Sequence, residues 1–414
     1  MEMKKYKLGE IADIIVGYPF ESAKFNTDGN GVLLVRGMNV SERFLRFGDE
    51  ARYWDYITDD LKPYYLKEND IVIGMDGSKV GKNFALVKKE NLPLLLVQRV
   101  ACVRAKKDYD QRYIWQYVSS KRFIEYVNTI KTGSSIPHIS GNQIANFPIF
   151  VPDSKAQKKI ADVLSSLDDK IALNRRMNAK LEQMAKRLYD HWFVQFDFPN
   201  ADGKPYKSSG GKMEYNEILK REIPVGWEVG NLYDIAEYVN GLACQNYRPK
   251  AEEAFLPVIK IREMNEGISS DTEKVSANIP EKYKIFDGDI LFSWSASLEV
   301  MIWAGGYGGL NQHIFKVNPK SYFSKEYIYQ QLQSYLINFQ KMAESRKTTM
   351  GHITSNHINQ SRVLLPPKEI ISAFNEKTLS IFNYQLSIEK ETQKLTALRD
   401  RLLPLLMNGQ VEVK

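Results

Sequence analysis

Residues 138–144, His-Ile-Ser-Gly-Asn-Gln-Ile, recur 214 positions later as residues 352–358, His-Ile-Thr-Ser-Asn-His-Ile. The similarity extends without a gap over residues 98–152. The other residue pairs at this offset are Gln98/Gln312, Tyr113/Tyr327, Ile114/Ile328, Gln116/Gln330 and Pro152/Pro366. Solenoid repeats have periods of about 20–50 residues, so a repeat of this length predicts a duplicated domain.

The offset between the two halves grows toward the N-terminus. It is 219 at Asp70 and Asp289, and 224 for the pairs Leu8/Leu232, Ile11/Ile235, Ala12/Ala236 and Gly17/Gly241. Half one therefore carries longer loops, while the framework positions stay in register. We interpret the duplication as one framework used for two similar but non-identical targets.

Composition limits the class of protein. The chain has 414 residues, a net charge of +7, 43% hydrophobic and 26% charged residues, so each half can bury a core of ordinary size. The positive charge favours an anionic partner, most often nucleic acid, although a mildly basic protein without such a partner has the same charge. Cys102 and Cys244 do not form a Cys-x-x-Cys motif, which argues against disulfide and zinc frameworks. We find no signal peptide and no long apolar run, and expect a cytoplasmic protein without membrane contact.

Both halves show the same order of predicted elements. A short helix (residues 8–14 and 232–236) is followed by short strands, by a helix (residues 113–127 and 327–339), by a polar loop and by a strand that ends at a proline. The predicted strands are 32–35, 70–73, 94–97, 256–261 and 289–292. Mixed helices and strands predict the α+β class.

A heptad pattern follows each half. The positions spaced by seven are Ile160, Leu167, Asn174, Leu181 and Leu188 in the first stretch, and Phe374, Ile381, Ile388, Leu395 and Leu402 in the second. This pattern predicts two long helices, uninterrupted until Pro199 and Pro404, which pair antiparallel and separate the two domains. The alternative is that each amphipathic helix lies on its own domain. Companion seam positions are apolar or Asn in the first helix but polar in the second, at Thr378, Gln385, Thr392 and Arg399.

These patterns give the predicted domain boundaries. Residues 1–153 form a first recognition domain, 154–195 a central helix, 196–222 a mobile linker rich in Gly, Pro, Lys and Ser, 223–367 a second recognition domain, and 368–414 a C-terminal helix.

Catalytic motifs are not evident. Residues 74–83 superficially resemble a phosphate-binding loop, but the first glycine is missing and Asn83 replaces the Ser or Thr that holds magnesium. We favour a Gly-rich hairpin or a DNA-facing loop there. His residues do not pair at the spacing of a zinc hydrolase. The repeated pair His138 and His352 fits either structural capping or a phosphate contact.

The remaining candidates form a binding surface on loops that differ between the halves. Arg, Lys, Asn and Gln suit base edges, whereas Ser, Thr and Lys suit phosphates, although charged loops are usually only solvated. The candidate DNA contacts are Tyr18, Lys24, Arg36, Asn39, Ser78, Lys79, Lys82, Asn83, Lys131, Ser134, Ser135, His138, Gln245, Asn246, Arg248, Lys260, Arg262, Ser295, Arg346, Lys347, Thr348, Thr349 and His352.

The whole chain resembles the specificity subunits of type I restriction–modification systems. The resemblance rests on the two Leu-x-x-Ile-Ala openings, the Ile223-Pro224-x-Gly226-Trp227 element, the segment between Phe198 and Gly211, and the strand-to-proline exits into long helices. It implies two target-recognition domains that each read half of a split, asymmetric site in double-stranded DNA. It also implies an antiparallel coiled coil that sets the gap and docks two modification (methyltransferase) subunits.

The same resemblance implies that this chain is not catalytic and holds no cofactor. S-adenosylmethionine, ATP and magnesium are expected on the modification subunits and on the restriction (nuclease/translocase) subunits, and the assembled complex would methylate adenine and cut DNA. Two other readings stay open. One is a standalone metal-dependent nuclease using Asp59-Asp60 or Asp168-Asp169, and the other is a scaffold that binds protein.

Overall fold

The computed structural model describes residues 2–133, 135–295, 297–345 and 355–413. The chain forms two compact units. Unit 1 contains the residues up to Asp169 together with those from Thr396 onward, and unit 2 extends from Lys170 to Leu395. Both long helices contribute one part to each unit, so unit 1 is built from the two ends of the described chain.

Unit 1 combines small sheets with helices. Its strands are β1 (Lys4–Lys7), β2 (Ala12–Val16), β3 (Val32–Val35), β4 (Val40–Ser41), β5 (Phe44–Leu45), β6 (Tyr53–Trp54), β7 (Ile71–Gly74), β8 (Phe84–Leu86), β9 (Leu94–Leu96), β10 (Val100–Ala105) and β11 (Pro148–Val151), and its helices are α1 (Leu8–Ile11), α2 (Gln111–Val118), α3 (Lys121–Ile130), α4 (Gly141–Ala145) and the first part of α5 (Ser154–Tyr189). The sheets have the orders β2-β10-β7-β8, β6-β3-β9, β1-β11 and β4-β5.

Unit 2 repeats this plan. Its strands are β12 (Met213–Asn216), β13 (Arg221–Pro224), β14 (Glu228–Asn231), β15 (Ala236–Asn240), β16 (Phe255–Ile259), β17 (Lys274–Ser276), β18 (Lys284–Ile285), β19 (Ile290–Ser293), β20 (Glu299–Ile302), β21 (Gly308–Leu310), β22 (Ile314–Pro319) and β23 (Arg362–Leu365), and its helices are the second part of α5, α6 (Leu232–Ile235), α7 (Ile261–Glu266), α8 (Lys325–Ser345), α9 (Ser355–Gln360) and the first part of α10 (Lys368–Met407). The sheets have the orders β15-β22-β19-β20, β17-β16-β21-β18, β14-β23 and β12-β13.

The two units share their strand connectivity, which confirms the duplication. The sheet β2-β10-β7-β8 corresponds to β15-β22-β19-β20, and the parallel pair β3/β9 corresponds to β16/β21. A repeated glycine follows β2 and β15. A Cβ atom on Gly17 would lie 2.2 Å from the Val97 carbonyl oxygen, and one on Gly241 would lie 2.2 Å from that of Asn311. Close backbone approach therefore explains this repeated residue.

A repeated aspartate closes the turn before β7 in unit 1 and before β19 in unit 2. Asp70 accepts a hydrogen bond from the backbone N–H of Lys67 at 2.7 Å, and Asp289 accepts one from that of Phe286 at 2.9 Å. The countercharge differs, because Arg104 lies 2.6 Å from the Asp70 carboxylate whereas the Lys325 ammonium lies 3.5 Å from Asp289. The aspartate and its backbone hydrogen bond are thus present in both units, whereas the cation beside it differs.

The long helices run antiparallel within each unit, which confirms the predicted α+β class with paired helices. In unit 2 the Asn174 amide donates to Glu391 at 2.8 Å and the Asn178 amide donates to Glu389 at 3.2 Å. In unit 1 the Arg399 guanidinium contacts Asp168 at 3.1 Å. Residue numbers rise along α5 as they fall along α10.

The seam is uneven. Asn174, Ile388 and Phe374 are buried, whereas other predicted positions are only half-buried, namely Leu167, Leu181, Leu188, Ile381, Leu395 and Leu402. Ile160 is buried in the core of unit 1 together with Leu406 and Met407 from the end of α10. Two polar seam residues of α10 form hydrogen bonds within the helix itself. The Thr378 and Thr392 hydroxyls each donate to the carbonyl four residues earlier at 2.8 Å.

Three details differ from the prediction. Residues 113–127 are not one helix, because α2 ends at Val118 and α3 begins at Lys121, with Ser120 at the N-cap position. The helix predicted over residues 8–14 ends at Ile11, after which the chain enters β2. Pro404 does not end α10, which continues to Met407. The proline lacks one backbone N–H, but the turn after it is held, because the Asn408 N–H donates to the Pro404 carbonyl at 3.0 Å.

The segment predicted as a mobile linker is folded onto unit 2. Phe196 and Phe198 are buried and pack against Trp227, with ring centroids 5.6 and 5.2 Å apart. Strands β12 and β13 then form a hairpin. The Gly, Pro and Ser residues had suggested flexibility, but the interspersed aromatic residues supply the apolar area that anchors the segment.

Candidate nucleic-acid interface

An open groove on unit 1 gathers several of the predicted contact residues. It has a volume of about 740 Å³ and lies between the turn that leads into β4-β5, the β7-β8 connection and α3. The predicted residues that line it are Ser78, Lys79, Lys82, Asn83 and Lys131; it is also lined by residues that we did not predict, including Ser41, Arg46 and Asn128.

The β7-β8 connection presents two lysines on a fixed turn. Gly77 and Gly81 adopt φ angles of 96° and 91°, in the left-handed region that favours glycine. The Lys82 N–H donates to the Lys79 carbonyl at 2.9 Å, and Val80 between them is buried in the core. Burial of Val80 turns the flanking Lys79 and Lys82 outward, and both are exposed. The predicted Gly-rich hairpin is confirmed.

The loop at residues 131–138 is closed at its base. The backbones of Thr132 and His138 exchange hydrogen bonds of 3.0 and 2.8 Å, and Thr132 Oγ1 lies 3.0 Å from His138 Nε2. The Gly77 N–H donates to the Pro137 carbonyl at 3.0 Å, which joins this loop to the lysine-bearing turn. His138 thus has a structural role in the loop. Ser135 is exposed, and the predicted contact Ser134 lies outside the described residues.

Asn39 and Glu263 occupy equivalent positions in the two units, and each side chain caps the start of a short helix. The Arg36 N–H donates to the Asn39 side chain at 3.0 Å, and the Lys260 N–H donates to Glu263 at 3.2 Å, so each residue closes a capping box. Asn39 is 1% exposed and its amide donates to the Arg46 carbonyl. In this structure the Asn39 amide is therefore not available to a base edge, contrary to our prediction.

Three other predicted residues of unit 1 have partners within the protein. The Arg36 guanidinium donates to the Glu50 carbonyl at 2.6 Å. The Tyr18 ring packs on Phe20 and Tyr64, and the nearby Asp60 carboxylate raises the pKa of its hydroxyl. Lys24 is exposed and forms an ion pair of 3.0 Å with Glu21. None of these three is among the residues that line the groove.

In unit 2 the predicted residues that the structure describes lie on three separate segments of the chain. Gln245, Asn246 and Arg248 are exposed in and beside a short 3-10 helix over Cys244–Tyr247. Lys260 pairs with Glu273 at 2.5 Å, and Ser295 is 5% exposed. Arg262 contacts the buried Glu263 carboxylate at 2.7 Å. The predicted contacts Arg346, Lys347, Thr348, Thr349 and His352 lie outside the described residues.

Positive charge prevails in the unit 1 groove. Its basic side chains are Arg46, Lys79, Lys82 and Lys131, and its acidic ones are Glu42 and Asp76. Exposed lysines beside Ser and Asn suit phosphate oxygens and base edges. Arg46 was not among the predicted contacts because nothing in its local sequence marks it. Its place in the groove is held by the hydrogen bond from the Asn39 amide to the Arg46 carbonyl.

The described part of the chain shows neither a metal-binding cluster nor a helix that could span a membrane. Among residues 2–133, 135–295, 297–345 and 355–413, no group of three or more His, Cys, Asp or Glu side chains is arranged to hold a metal ion. In the same part of the chain, no helix has both the length and the apolar character needed to cross a bilayer.

A duplicated α+β domain with a cationic groove and two long paired helices is an arrangement suited to DNA recognition. The chain belongs to the family of the type I restriction modification DNA specificity domain, whose model matches residues 1–183 and 224–398. The two matches correspond to the two halves of the repeat. This membership confirms the family resemblance and the role in DNA sequence recognition.

Similar proteins align with most or nearly all of the chain. The type I restriction enzyme HindI specificity subunit of Haemophilus influenzae is 26% identical, with 99% of this chain and 100% of the relative aligned. The MjaIX specificity subunit of Methanocaldococcus jannaschii is 27% identical over 78% of this chain and 74% of the relative. A crystal structure of a type I S subunit from M. genitalium superimposes with a TM-score of 0.59 at 14% identity, covering 98% of this chain and 96% of that one. The last similarity concerns the fold alone.

Proposed function

We propose that this chain reads a bipartite, asymmetric site in double-stranded DNA, with unit 1 on one half-site and unit 2 on the other. The observation that carries this proposal is the combination of a shared strand framework with different exposed side chains on the two units. Base-edge hydrogen bonds are local and depend on side-chain identity. Two copies of one framework with divergent surfaces are therefore suited to two different base sequences.

The two long helices are proposed to set the distance between the half-sites and to dock two modification subunits. Large apolar side chains stand exposed on both helices within unit 2, at Leu173 and Met184 on α5 and at Leu379 and Tyr384 on α10. Exposed apolar side chains of this size favour contact with another protein. Restriction subunits would join the same assembly. S-adenosylmethionine, ATP and magnesium would be held by those partner chains.

A role as a standalone nuclease is less well supported. Asp168, one of the carboxylates considered for it, is held by Arg43 and Arg399 at 3.1 Å each, so two cations already compensate its charge. Asp59 is exposed and pairs with Lys62 at 2.8 Å. The relatives described above are named specificity subunits, which supports a recognition role without catalysis.

Mapping of methylated adenines tests the proposal. Cells that carry the modification subunit would be compared with and without this chain. We expect one split motif, with two defined half-sites and an unread gap, to be methylated only when the chain is present. A single continuous motif, or methylation that is independent of the chain, would contradict the proposal.

A further inference from the structure

One carboxylate of unit 1 connects both long helices to the recognition domain. Asp168 Oδ1 accepts hydrogen bonds from Arg43 and Arg399, each at 3.1 Å, and its Oδ2 accepts one from the Gln116 amide at 3.3 Å. The side chains of Asp168, Arg43 and Arg399 are 18%, 21% and 12% exposed. Solvent therefore screens these charges only partly, and the loss of one partner leaves the others poorly compensated.

Arg43 reaches this carboxylate from the turn between β4 and β5. Its φ angle is 69°, an uncommon conformation for a residue with a side chain. Its backbone N–H donates to the Phe84 carbonyl at 2.7 Å, and its guanidinium also donates to the Ser119 carbonyl and hydroxyl at 3.1 and 3.2 Å. The same guanidinium lies 5.7 Å from the centre of the Trp115 ring. The residue therefore ties the β4-β5 hairpin to β8, α2 and α5 at once.

The hairpin that Arg43 holds is one wall of the groove. Val40, Ser41 and Glu42 line the groove directly. The Asn39 amide donates to the Arg46 carbonyl at 3.0 Å, and the Arg46 guanidinium donates to the Met38 carbonyl at 3.2 Å. These bonds join the residues around the hairpin into one body. A shift at Arg43 would consequently move the whole wall relative to the lysine-bearing turn.

Unit 2 has uncharged residues at the two equivalent positions of the long helices. At the offset of 214, Asp168 corresponds to Phe382 and Arg399 to Ala185. Phe382 and Ala185 are 7% and 6% exposed, and both line one small cavity with Gln330, the equivalent of Gln116. At this junction the two long helices thus contribute an ion pair in unit 1 and the uncharged residues Phe382 and Ala185 in unit 2.

We propose that Arg43 is a positioning residue for DNA recognition by unit 1. Its contact with Asp168 fixes the groove wall against the helix pair and thereby sets discrimination at the half-site that unit 1 reads. Recognition by unit 2 does not depend on this contact. This inference rests on the proposed function, because it presupposes that each unit reads its own half-site.

The test uses the full chain with its modification subunit and a plasmid library in which each half-site is randomised in turn. Exchange of residues 1–152 first assigns one half-site to unit 1. Arg43→Ala should reduce discrimination at that half-site about tenfold, within the range set by one well-placed base contact, and leave the other half-site unchanged. Arg43→Lys should keep more discrimination than Arg43→Ala, because the lysine ammonium can pair with Asp168. It should keep less than the wild-type chain, because it lacks the forked guanidinium that also reaches Ser119.

Arg52→Ala is the matched control, since the Arg52 guanidinium donates to the nearby carbonyls of Asp49 and Ala51, and it should change neither half-site. Unchanged discrimination in folded Arg43→Ala, or an equal loss at both half-sites, overturns the proposal. Should Arg43→Ala fail to fold, Asp168→Asn keeps the acceptor oxygen without the charge. Its effect must then appear at the unit 1 half-site alone. Failure of the proposed function would be visible already in the wild-type chain, as the absence of a bipartite motif.

Discussion

The hydroxyl of Tyr113 donates a hydrogen bond of 2.7 Å to the backbone carbonyl of Phe150. The equivalent Tyr327 donates one of 2.7 Å to the carbonyl of Leu364. Both tyrosines are fully buried, and each fastens a helix to the last strand of its unit. The surroundings differ, because the Phe150 carbonyl also accepts from Tyr117 at 2.9 Å, whereas the Tyr327 hydroxyl also accepts from the Gln331 amide at 2.8 Å.

This difference predicts unequal costs for the same substitution. Tyr113→Phe should lower the free energy of unfolding by about 1 kcal/mol, since the Phe150 carbonyl keeps Tyr117 as a donor. Tyr327→Phe should cost about 2–3 kcal/mol, because it leaves the buried Gln331 amide without its acceptor. Urea unfolding of the single variants measures both, with the exposed Tyr56→Phe as control. Equal losses would contradict the assignment of these hydrogen bonds.

Much of the framework could be predicted from the sequence because repeated residues carry backbone constraints. Gly17 and Gly241 mark a close backbone approach, and Asp70 and Asp289 close equivalent turns. Heptad spacing found both long helices since their burial follows the helical period. Such patterns depend on residues close together in the sequence, and they occur in both halves, so the sequence alone shows them.

Features that depend on distant residues escaped prediction. Arg43 and Asp168 are far apart in sequence, and neither stands out in its local pattern. Asn39 has the composition of a base-reading residue but is used by the backbone at a capping box. Segment 196–222 resembles a linker by composition, yet its aromatic residues find a surface on unit 2 that only the folded chain provides. In each of these places, contacts made only in the folded chain determine what the residues do.

DNA binding should weaken steeply with salt. Each phosphate neutralised by the protein contributes about −0.9 to the slope of log affinity against log salt concentration. We expect the double variant Lys79→Gln/Lys82→Gln to make this slope shallower by about 1–2, since both lysines are exposed in the groove. Binding of the complex with its modification subunit to a cognate duplex, across a salt series, provides the measurement.

Lys62→Gln is the control for that experiment, because Lys62 is exposed, pairs with Asp59 and does not line the groove. A slope that is flat in the wild-type chain would argue for a protein-binding scaffold instead. If the wild-type slope is steep but the Lys79→Gln/Lys82→Gln variant has the same slope, the phosphate contacts lie outside the groove.

Helix length should set the spacing between the half-sites. Inserting one heptad after Asn174 and another after Ile388 adds about 10 Å to each helix at roughly 1.5 Å per residue. Asn174 contacts Glu391, so the two insertions fall at nearly the same level of the pair and preserve its register. The methylated motif should gain about three base pairs in its gap at roughly 3.4 Å per pair, with both half-site sequences unchanged. A heptad in α5 alone should shift the two helices out of register on one side of the insertion and impair assembly.

Recognition by the two units should be modular. Exchanging residues 1–152 for the equivalent domain of a related subunit places the junction before α5, which begins at Ser154. The two units have separate hydrophobic cores, and base-edge contacts are local, each worth about 1–3 kcal/mol of discrimination. The chimera should therefore read a new sequence at one half-site and the original sequence at the other.

The junction leaves Asp168 and Arg399 in place but replaces Arg43, which gives the exchange a second outcome to measure. A donor domain with Arg at the turn of the β4-β5 hairpin should transfer its half-site with full discrimination, because the contact with Asp168 can form again. A donor domain without it should transfer the same sequence with weaker discrimination, and introducing Arg there should restore it. Methylation mapping of the paired chimeras distinguishes these results. A chimera that folds and assembles yet changes both half-sites together would rule out independent reading by the two units.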